Sequence, residues 1–460
     1  MEKNNLLNIV QEIKKFRVQE MDSSHVEKQY ILSYNDRIFV INHNTKLLID
    51  IVQSSDRASE MVENFRGILH SDLSFDELEL KLSKKFEPIL SDSKKEPKIR
   101  PFLFKKEIIG KTRVAGIGRM LKSLFAYKLY YLVLAINFVL LMVFLFTSGK
   151  EYLTLDNVNL MTIVVVYVAI LLSTLFHEFG HASACCYYNL PPGAIGVCVY
   201  LNMLVFYADV SNVWHLSRDK RIVVNLGGVY FQMILLIPLY IAYYITHSDL
   251  LAYLLLSFNL NFIVVLNPFF KFDGYWILSD LLGVPNLRKR GIEYIMYCIK
   301  QIFGKCVGEK PYFMYYSKAT RYVSIVYSIV SIVFIGFVLL YWMPMFTWHF
   351  VQNTPHWYQQ VLFYISSGEV NWKFISYLIP QLLFMACIAI TYFSIFKMFT
   401  MQLMANIRYI NYKKIMVAAA MLLAVVPNAD AQQQGDSLGL AMEDSTFTLS
   451  TVVVKADKVI

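Results

Sequence analysis

The stretch LMTIVVVYVAILLSTLFHEFGHASACC, residues 160–186, decides the class of this chain. It carries no lysine, arginine or aspartate. It also exceeds the roughly 20 residues that a helix rising about 1.5 Å per residue needs to cross a bilayer. Near its end stand His177, Glu178 and His181. Residues i and i+4 of a helix share a face, so both imidazoles can reach one zinc ion while Glu178 sits beside the water such an ion binds. An ionisable group inside a span costs about 2.5 to 3.5 kcal/mol on insertion scales, so a glutamate flanked by two histidines needs a compensating partner. A metal supplies one. The competing reading is a helix end solvated at the membrane interface.

Five further stretches are long and apolar enough to span: about Leu129 to Thr147, Ile222 to Ile245, Leu250 to Phe269, Tyr322 to Trp342 and Phe374 to Phe396. Loop charge orders them, because lysine and arginine collect on the cytoplasmic side. Lys105, Lys106, Lys111, Arg113, Arg119, Lys122 and Lys128 precede the first span, and only Lys150 follows it. Arg218, Lys220 and Arg221 follow the second; His247, Ser248 and Asp249 the third; Lys271, Arg288, Lys289 and Arg290 the fourth. The stretch from Pro344 to Trp372 has no lysine or arginine but has Trp348, Trp357 and Trp372, which predicts an outer loop with interfacial anchors. The N-terminus MEKNNLLNIVQEIKK lacks the apolar core of a secretory signal, so the chain is expected to begin in the cytoplasm.

This topology brings a second candidate group to the end of the membrane where His177 and His181 lie. The fourth span runs inward and delivers NPFFKFDG, residues 267–274. Pro268 breaks a helix and Gly274 permits a tight turn, so non-helical backbone could aim the Asp273 carboxylate at a metal. An ordinary Asp-Gly turn in an inner loop is the alternative.

Composition agrees with a membrane protein: 56% of the 460 residues are hydrophobic, 15% aromatic and only 17% charged. The net charge of +9 sits beside the apolar stretches, which speaks for topology rather than a nucleic-acid partner. None of the six cysteines forms a CxxC pair, so neither a cysteine metal cluster nor a disulfide framework is indicated.

Residues 1–95 are charged and hold no membrane-length run. QYILSYNDRIFVI, residues 29–41, reads as a hairpin about Asn35 and Asp36. Helical patterns begin near Thr45, cover Asp56 to Ile68, and open again at Ser74 with the capping sequence Ser74-Phe75-Asp76-Glu77. Together they predict a small α+β, winged-helix-like domain. Residues 96–128, with Pro97, Pro101 and many basic side chains, read as a linker to the membrane surface, 129–300 as the core, and 301–400 as additional spans. Within 401–460, Ile415 to Val426 is apolar but short. It is followed by Ala429-Asp430-Ala431, a signal-like pattern with a cut before Gln432. A processed tail, a short seventh span or a fused secreted segment all fit it. The expected fold class is an α-helical polytopic membrane protein of about six transmembrane helices with this N-terminal domain.

HEFGH taken together with NPFFKFDGYWILSDLLGVPNL, residues 267–287, resembles the site-2 protease clan of intramembrane zinc metallopeptidases, and within it the bacterial peptide zinc metalloproteases. The resemblance covers roughly residues 120 to 300. It implies that His177, His181 and Asp273 ligate zinc, that Glu178 is the catalytic base, and that Asn267 and Pro268 position substrate. Where many members carry a second proline, this chain has Phe269 to Phe272. Tyr200 to Asn212 resembles the clan's membrane-associated strand region, an edge that could pair with an extended substrate. Residues 1–95 resemble winged-helix domains that bind the leaders of ribosomally made, modified peptides. The implied activity is endopeptidase cleavage at the cytoplasmic side of an inner membrane, during maturation or export of a small peptide. Its partners would be a peptide substrate carrying a leader, the lipid bilayer and a peptide exporter. The alternatives are regulated proteolysis of a membrane-anchored signalling protein and a non-catalytic peptide-binding export or immunity partner.

Overall fold

The computed structural model describes residues 3–35, 37–55, scattered positions between 60 and 90, 105–147, 160–200, 203–303, 311–368 and 371–424. The chain up to Tyr200 and Leu204–Ser376 form one compact unit, and the last helix belongs to a second from Tyr377 onward. The protein is mostly helical, with a small N-terminal sheet.

The N-terminal region begins with helix α1 (Lys3–Lys14), then strands β1 (Arg17–Met21), β2 (Gln29–Tyr34) and β3 (Arg37–Asn42), then helix α2 (His43–Ser54). The strands form an antiparallel meander in which Tyr34 faces Arg37 and Asn35 takes φ +47° at the turn. Asn42 caps α2 by accepting a 3.0 Å hydrogen bond from Thr45 N. Strand alternation sends Tyr30, Leu32 and Tyr34 towards Phe16, Leu48, Ile49 and Val52, while Ile31, Ile38 and Val40 face the rest of the chain. That second face packs on Trp214, Tyr275, Trp276, Phe313 and Tyr316, which is why β2 is buried on both sides. Helix α1 and strand β1 precede the expected hairpin and were not read from the sequence. The helix expected to open at Ser74 lies outside the described residues, as does most of the one from Asp56 to Ile68.

Residues 105–125 are not a free tether. Strand β4 (Lys105–Ile109) pairs with β5 (Ile195–Tyr200), which lies next to β6 (Met203–Ala208) in a three-stranded sheet. Helix α3 (Lys111–Leu121) lies so close to the following core that a Cβ on Gly118 would be 2.9 Å from Cys186 Sγ. The pairing partner of β4 is some 90 positions away, and local composition carries no trace of it.

Among the described residues five helical stretches are long and apolar enough to cross a membrane. They comprise α4 (Tyr127–Thr147), α5 (Leu160–Tyr187), α6 (Arg218–Thr246), the continuous run Lys318–Ser367, and Phe374–Lys397 of the last helix. Helix α7 (Asp249–Val265) is apolar but has only 17 residues. It stops before Asn267-Pro268, so the expected fourth span is shorter than Leu250 to Phe269. Helices α8 (Asp273–Leu282) and α9 (Leu287–Ile302) follow.

Two further expectations are corrected. The predicted outer loop from Pro344 to Trp372 is helical for most of its length. Helix α10 (Lys318–Phe337) passes through a π-helical turn, Val338–Trp342, into α11 (Met343–Ser367) and ends at Gly368 in the left-handed conformation. Pro344, directly after the π-helical turn, and Pro355 both lie within this run and do not break it. The final helix, α12 (Trp372–Ala424), runs without a break past Lys397, Arg408 and Lys413 into the apolar stretch begun at Ile415. That stretch is therefore no separate helix up to Ala424. Residues 425–460, including the expected cut site, lie outside the described residues.

The N-terminal region is docked through polar contacts as well as its apolar face. Asp22 pairs with Arg218 at 3.0 Å, Val26 N donates to Tyr315 O at 2.8 Å, and His215 meets Gln19 Oε1 at 2.9 Å. Arg221, 1% exposed, donates to Asp280 at 2.7 Å, to Leu216 O at 2.9 Å and to Asp22 O at 3.1 Å. Asn225 donates to the other oxygen of Asp280 at 2.8 Å. Removing one member of a buried ion pair strands the other, so Asp280→Ala is expected to cost about 3 to 5 kcal/mol, read from denaturation in detergent. Arg221→Met combined with Asp280→Leu is expected to recover much of that loss.

Burial lowers the pKa of His25, against the opposing pull of Glu27, and burial likewise lowers that of His215. A histidine that folding keeps neutral contributes its full stability above its ordinary value of about 6.5, and that contribution is lost as pH falls below it. The unfolding midpoint of the docked region is thus expected to drop between pH 7 and pH 5. His25→Phe should flatten the decline in a pH series of thermal melts.

Candidate metal centre

Helix α5 changes character along its length. Its first turns are exposed and apolar, with Met161 70% and Leu172 64% exposed, whereas His177, Glu178 and residues 180–186 are buried. The buried end lies against α6, and three glycines let the two backbones meet. A Cβ on Gly180 would lie 2.7 Å from the Gly227 carbonyl carbon and 3.0 Å from Gly228 Cα, and a Cβ on Gly228 would collide with the His177 ring. Small residues at such crossings are the usual way apolar helices gain close contact where lipid offers no hydrophobic driving force.

The third group comes from the start of α8. Asp273 is its first residue, set up by an irregular turn over residues 266–272. Asn267 Oδ1 accepts from Phe269 N at 2.8 Å, Pro268 O accepts from the Tyr327 hydroxyl at 2.8 Å, and Arg288 donates to Phe269 O. Gly274 packs against the Leu266 carbonyl with no room for a side chain. The turn's backbone is thereby satisfied by protein, as membrane-depth irregular structure requires.

His177, His181 and Asp273 bring three ligand atoms together. His177 Nε2 lies 3.0 Å from His181 Nε2 and 3.0 Å from Asp273 Oδ2, and His181 Nε2 lies 3.5 Å from the same oxygen. All three residues are buried. The far nitrogens of both rings are already engaged. His181 Nδ1 is 2.7 Å from Val224 O, which can only accept, so that nitrogen carries the proton and Nε2 presents a lone pair. His177 Nδ1 lies 3.1 Å from Gln232 Oε1, and Gln232 Nε2 donates to Ser173 Oγ at 2.8 Å. The three converging atoms are then all acceptors, and Asp273 Oδ2 has no hydrogen-bond donor. Acceptors crowded this way repel unless a cation sits among them. A tetrahedral zinc about 2.0 to 2.1 Å from each donor would separate the donors by roughly 3.3 Å, which the observed spacings bracket. The donor set therefore fits zinc.

Glu178 stands outside the ligand set, 4% exposed, with the Ala208 amide at the end of β6 hydrogen-bonded to its carboxylate and Oε2 lacking a partner. Asn267 spends its amide oxygen within its own turn, and Pro268 anchors that turn to α10. Sequence reading passed over Gln232, Ser173 and Val224. Val224 acts through its carbonyl, which any residue supplies, but a glutamine in the middle of an apolar span was a visible signal.

A protein of Bacillus subtilis (strain 168) named "Putative peptide zinc metalloprotease protein YydH" is 26% identical over 149 residues, covering 31% of this chain and 57% of that protein. The chain thus matches a little over half the length of this relative. No protein-family model and no solved structure matches the chain. Beside this likeness to part of that protein, the chain has apolar helices of membrane-crossing length and a buried His-His-Asp group that could hold a metal ion.

The glycine crossing is directly testable. Gly228→Ala drives a methyl into His177, and overpacking of this kind is expected to cost about 1 to 3 kcal/mol in a denaturation series. Gly336→Ala, where a Cβ meets nothing within 4 Å, serves as the control and should be neutral or gain up to about 1 kcal/mol.

Proposed function

We propose that this chain is an intramembrane zinc endopeptidase of the site-2 type that cuts a peptide or membrane-associated substrate at the cytoplasmic side of the bilayer. The observation that carries the reading is the convergence of two imidazole lone pairs and a buried carboxylate beside a second carboxylate, Glu178, that is not a ligand. His177, His181 and Asp273 would hold zinc, which supplies a Lewis acid for polarising a peptide carbonyl and acidifying water. Glu178 takes the proton of the attacking water and returns it to the leaving amine. The Ala208 amide keeps the Glu178 carboxylate turned towards the site, so one of its oxygens is free for the proton. Strand β6 lies at one end of its sheet and finishes at that amide, so an extended substrate adding to it would bring a backbone carbonyl to Glu178. Asn267 and Pro268 act by holding the turn that delivers Asp273.

The narrower assignment is maturation or export of a ribosomally made peptide, with a peptide exporter as partner. Its support is the docked N-terminal region, whose contacts reach Arg218 and Arg221 at the start of α6, the helix whose Val224 and Gln232 hydrogen-bond the two histidines of α5. Regulated proteolysis of a signalling protein requires no such domain.

The detergent-solubilised full chain is expected to carry about one zinc and to cut a precursor peptide encoded beside its gene. Glu178→Ala should keep the metal and lose at least 100-fold in cleavage rate, the lower range for a general base. Asp273→Ala should lose the metal, measured by elemental analysis. Cleavage that survives Glu178→Ala would falsify the mechanism.

A further inference from the structure

We propose that Gln232 is a positioning residue of the metal centre, selecting the tautomer of His177 that can bind a cation. The inference rests on the reading of His177, His181 and Asp273 as a zinc site and assigns a part of that site drawn from α6. Gln232 is 1% exposed in the middle of an apolar helix, a costly place for an amide. Both of its ends are used. Oε1 accepts from His177 Nδ1 at 3.1 Å, and Nε2 donates to Ser173 Oγ at 2.8 Å. Ser173 lies on α5 one turn before His177, so the helix that carries the ligand also carries the anchor for its partner.

The amide decides between two states of the ring. With Oε1 facing the ring, the proton stays on Nδ1 and Nε2 offers its lone pair to the position shared with His181 and Asp273. With the amide reversed, an N–H faces Nδ1, which must then accept, and the proton moves to Nε2. There it lies 3.0 Å from Asp273 Oδ2, as a hydrogen bond that closes the site to a cation. His181 has no such freedom, because a backbone carbonyl holds its Nδ1. The centre is therefore asymmetric, with one histidine fixed by the main chain and the other by a side chain that can be changed.

The test is zinc affinity of the detergent-solubilised full chain, read by chelator competition, together with the visible spectrum of the cobalt-substituted protein. Gln232→Leu removes the acceptor and is expected to weaken zinc binding roughly 10- to 100-fold and to alter the cobalt bands. Gln232→Glu keeps an acceptor oxygen towards His177 and is expected to bind zinc within about threefold of wild type, a rescue that packing alone does not explain. Should Gln232→Leu fail to accumulate, Ser173→Ala leaves the amide unanchored and must lower affinity in the same direction. Equal affinity in wild type and Gln232→Leu, a Gln232→Glu variant as weak as Gln232→Leu, or unchanged affinity in Ser173→Ala when it stands in would each overturn the proposal. Wild-type protein that binds no zinc would overturn the metal-site reading itself, which separates the two failures.

Discussion

The close crossing of α5 and α6 at Gly180, Gly227 and Gly228 is the constraint on which the centre depends. Two helices carrying ordinary side chains run about 8 to 10 Å apart, with side chains filling the space between their backbones. Here the backbones touch, and Val224 O comes within 2.7 Å of His181 Nδ1. The same approach leaves Gly228 as the floor beneath the His177 ring and puts Gln232, one turn further on, beside its Nδ1. A methyl group at any of the three positions would push apart the elements that set both tautomers. The glycines matter to the chemistry because of the distance they allow, and they touch none of the reacting atoms.

A second layer of constraint lies where α6 begins. Arg221 and Asn225 grip the two oxygens of Asp280, and Asp280 lies two turns along the helix that Asp273 opens. The ion pair thus ties α6, which hydrogen-bonds both histidines of α5, to the helix supplying the carboxylate. Its remaining hydrogen bonds go to Leu216 O and to Asp22 O of the N-terminal region. Displacing that region would leave Arg221 short of an acceptor while it is still buried, a state worth avoiding by a few kcal/mol. A domain docked in this way is mechanically linked to the spacing of Asp273 from the two imidazoles, although it contributes no ligand.

What could be read from the sequence follows from how local each signal is. His177 and His181 are related by helical periodicity alone, and Asp273 was reached through loop charges that ordered the spans, so the three candidate ligands were legible before any geometry. Strand β2 and its turn at Asn35 were legible for the same reason, since alternation and turn chemistry act over a few residues. The pairing of β4 with β5 was not, because it joins Glu107 to Gly196 and neither neighbourhood announces the other. The stretch from Pro344 to Trp372 misled in the opposite direction, since a lack of lysine and arginine bears on which side of a membrane a segment lies and not on whether its backbone is helical. His215 meets Gln19 and Ser33 of the docked sheet, a tertiary fact with no local mark.

Ionisable groups persist in this apolar chain because the fold encloses them. Glu178, Asp273, Arg221 and Asp280 are each under 5% exposed in a chain whose outer helix faces are apolar. The outward turns of α5 expose Met161, Tyr167 and Leu172, and the polar groups begin where α6, α8 and β6 enclose the helix. Protein rather than hydrocarbon surrounds them, so fixed dipoles and opposite charges are within reach. Arg221 and Asp280 answer one another. Asp273 and the two imidazole lone pairs do not, since all three are acceptors, and the arrangement is balanced only by a cation. The same enclosure keeps water from His177, His181 and Asp273, so a cation held there would meet three buried donors.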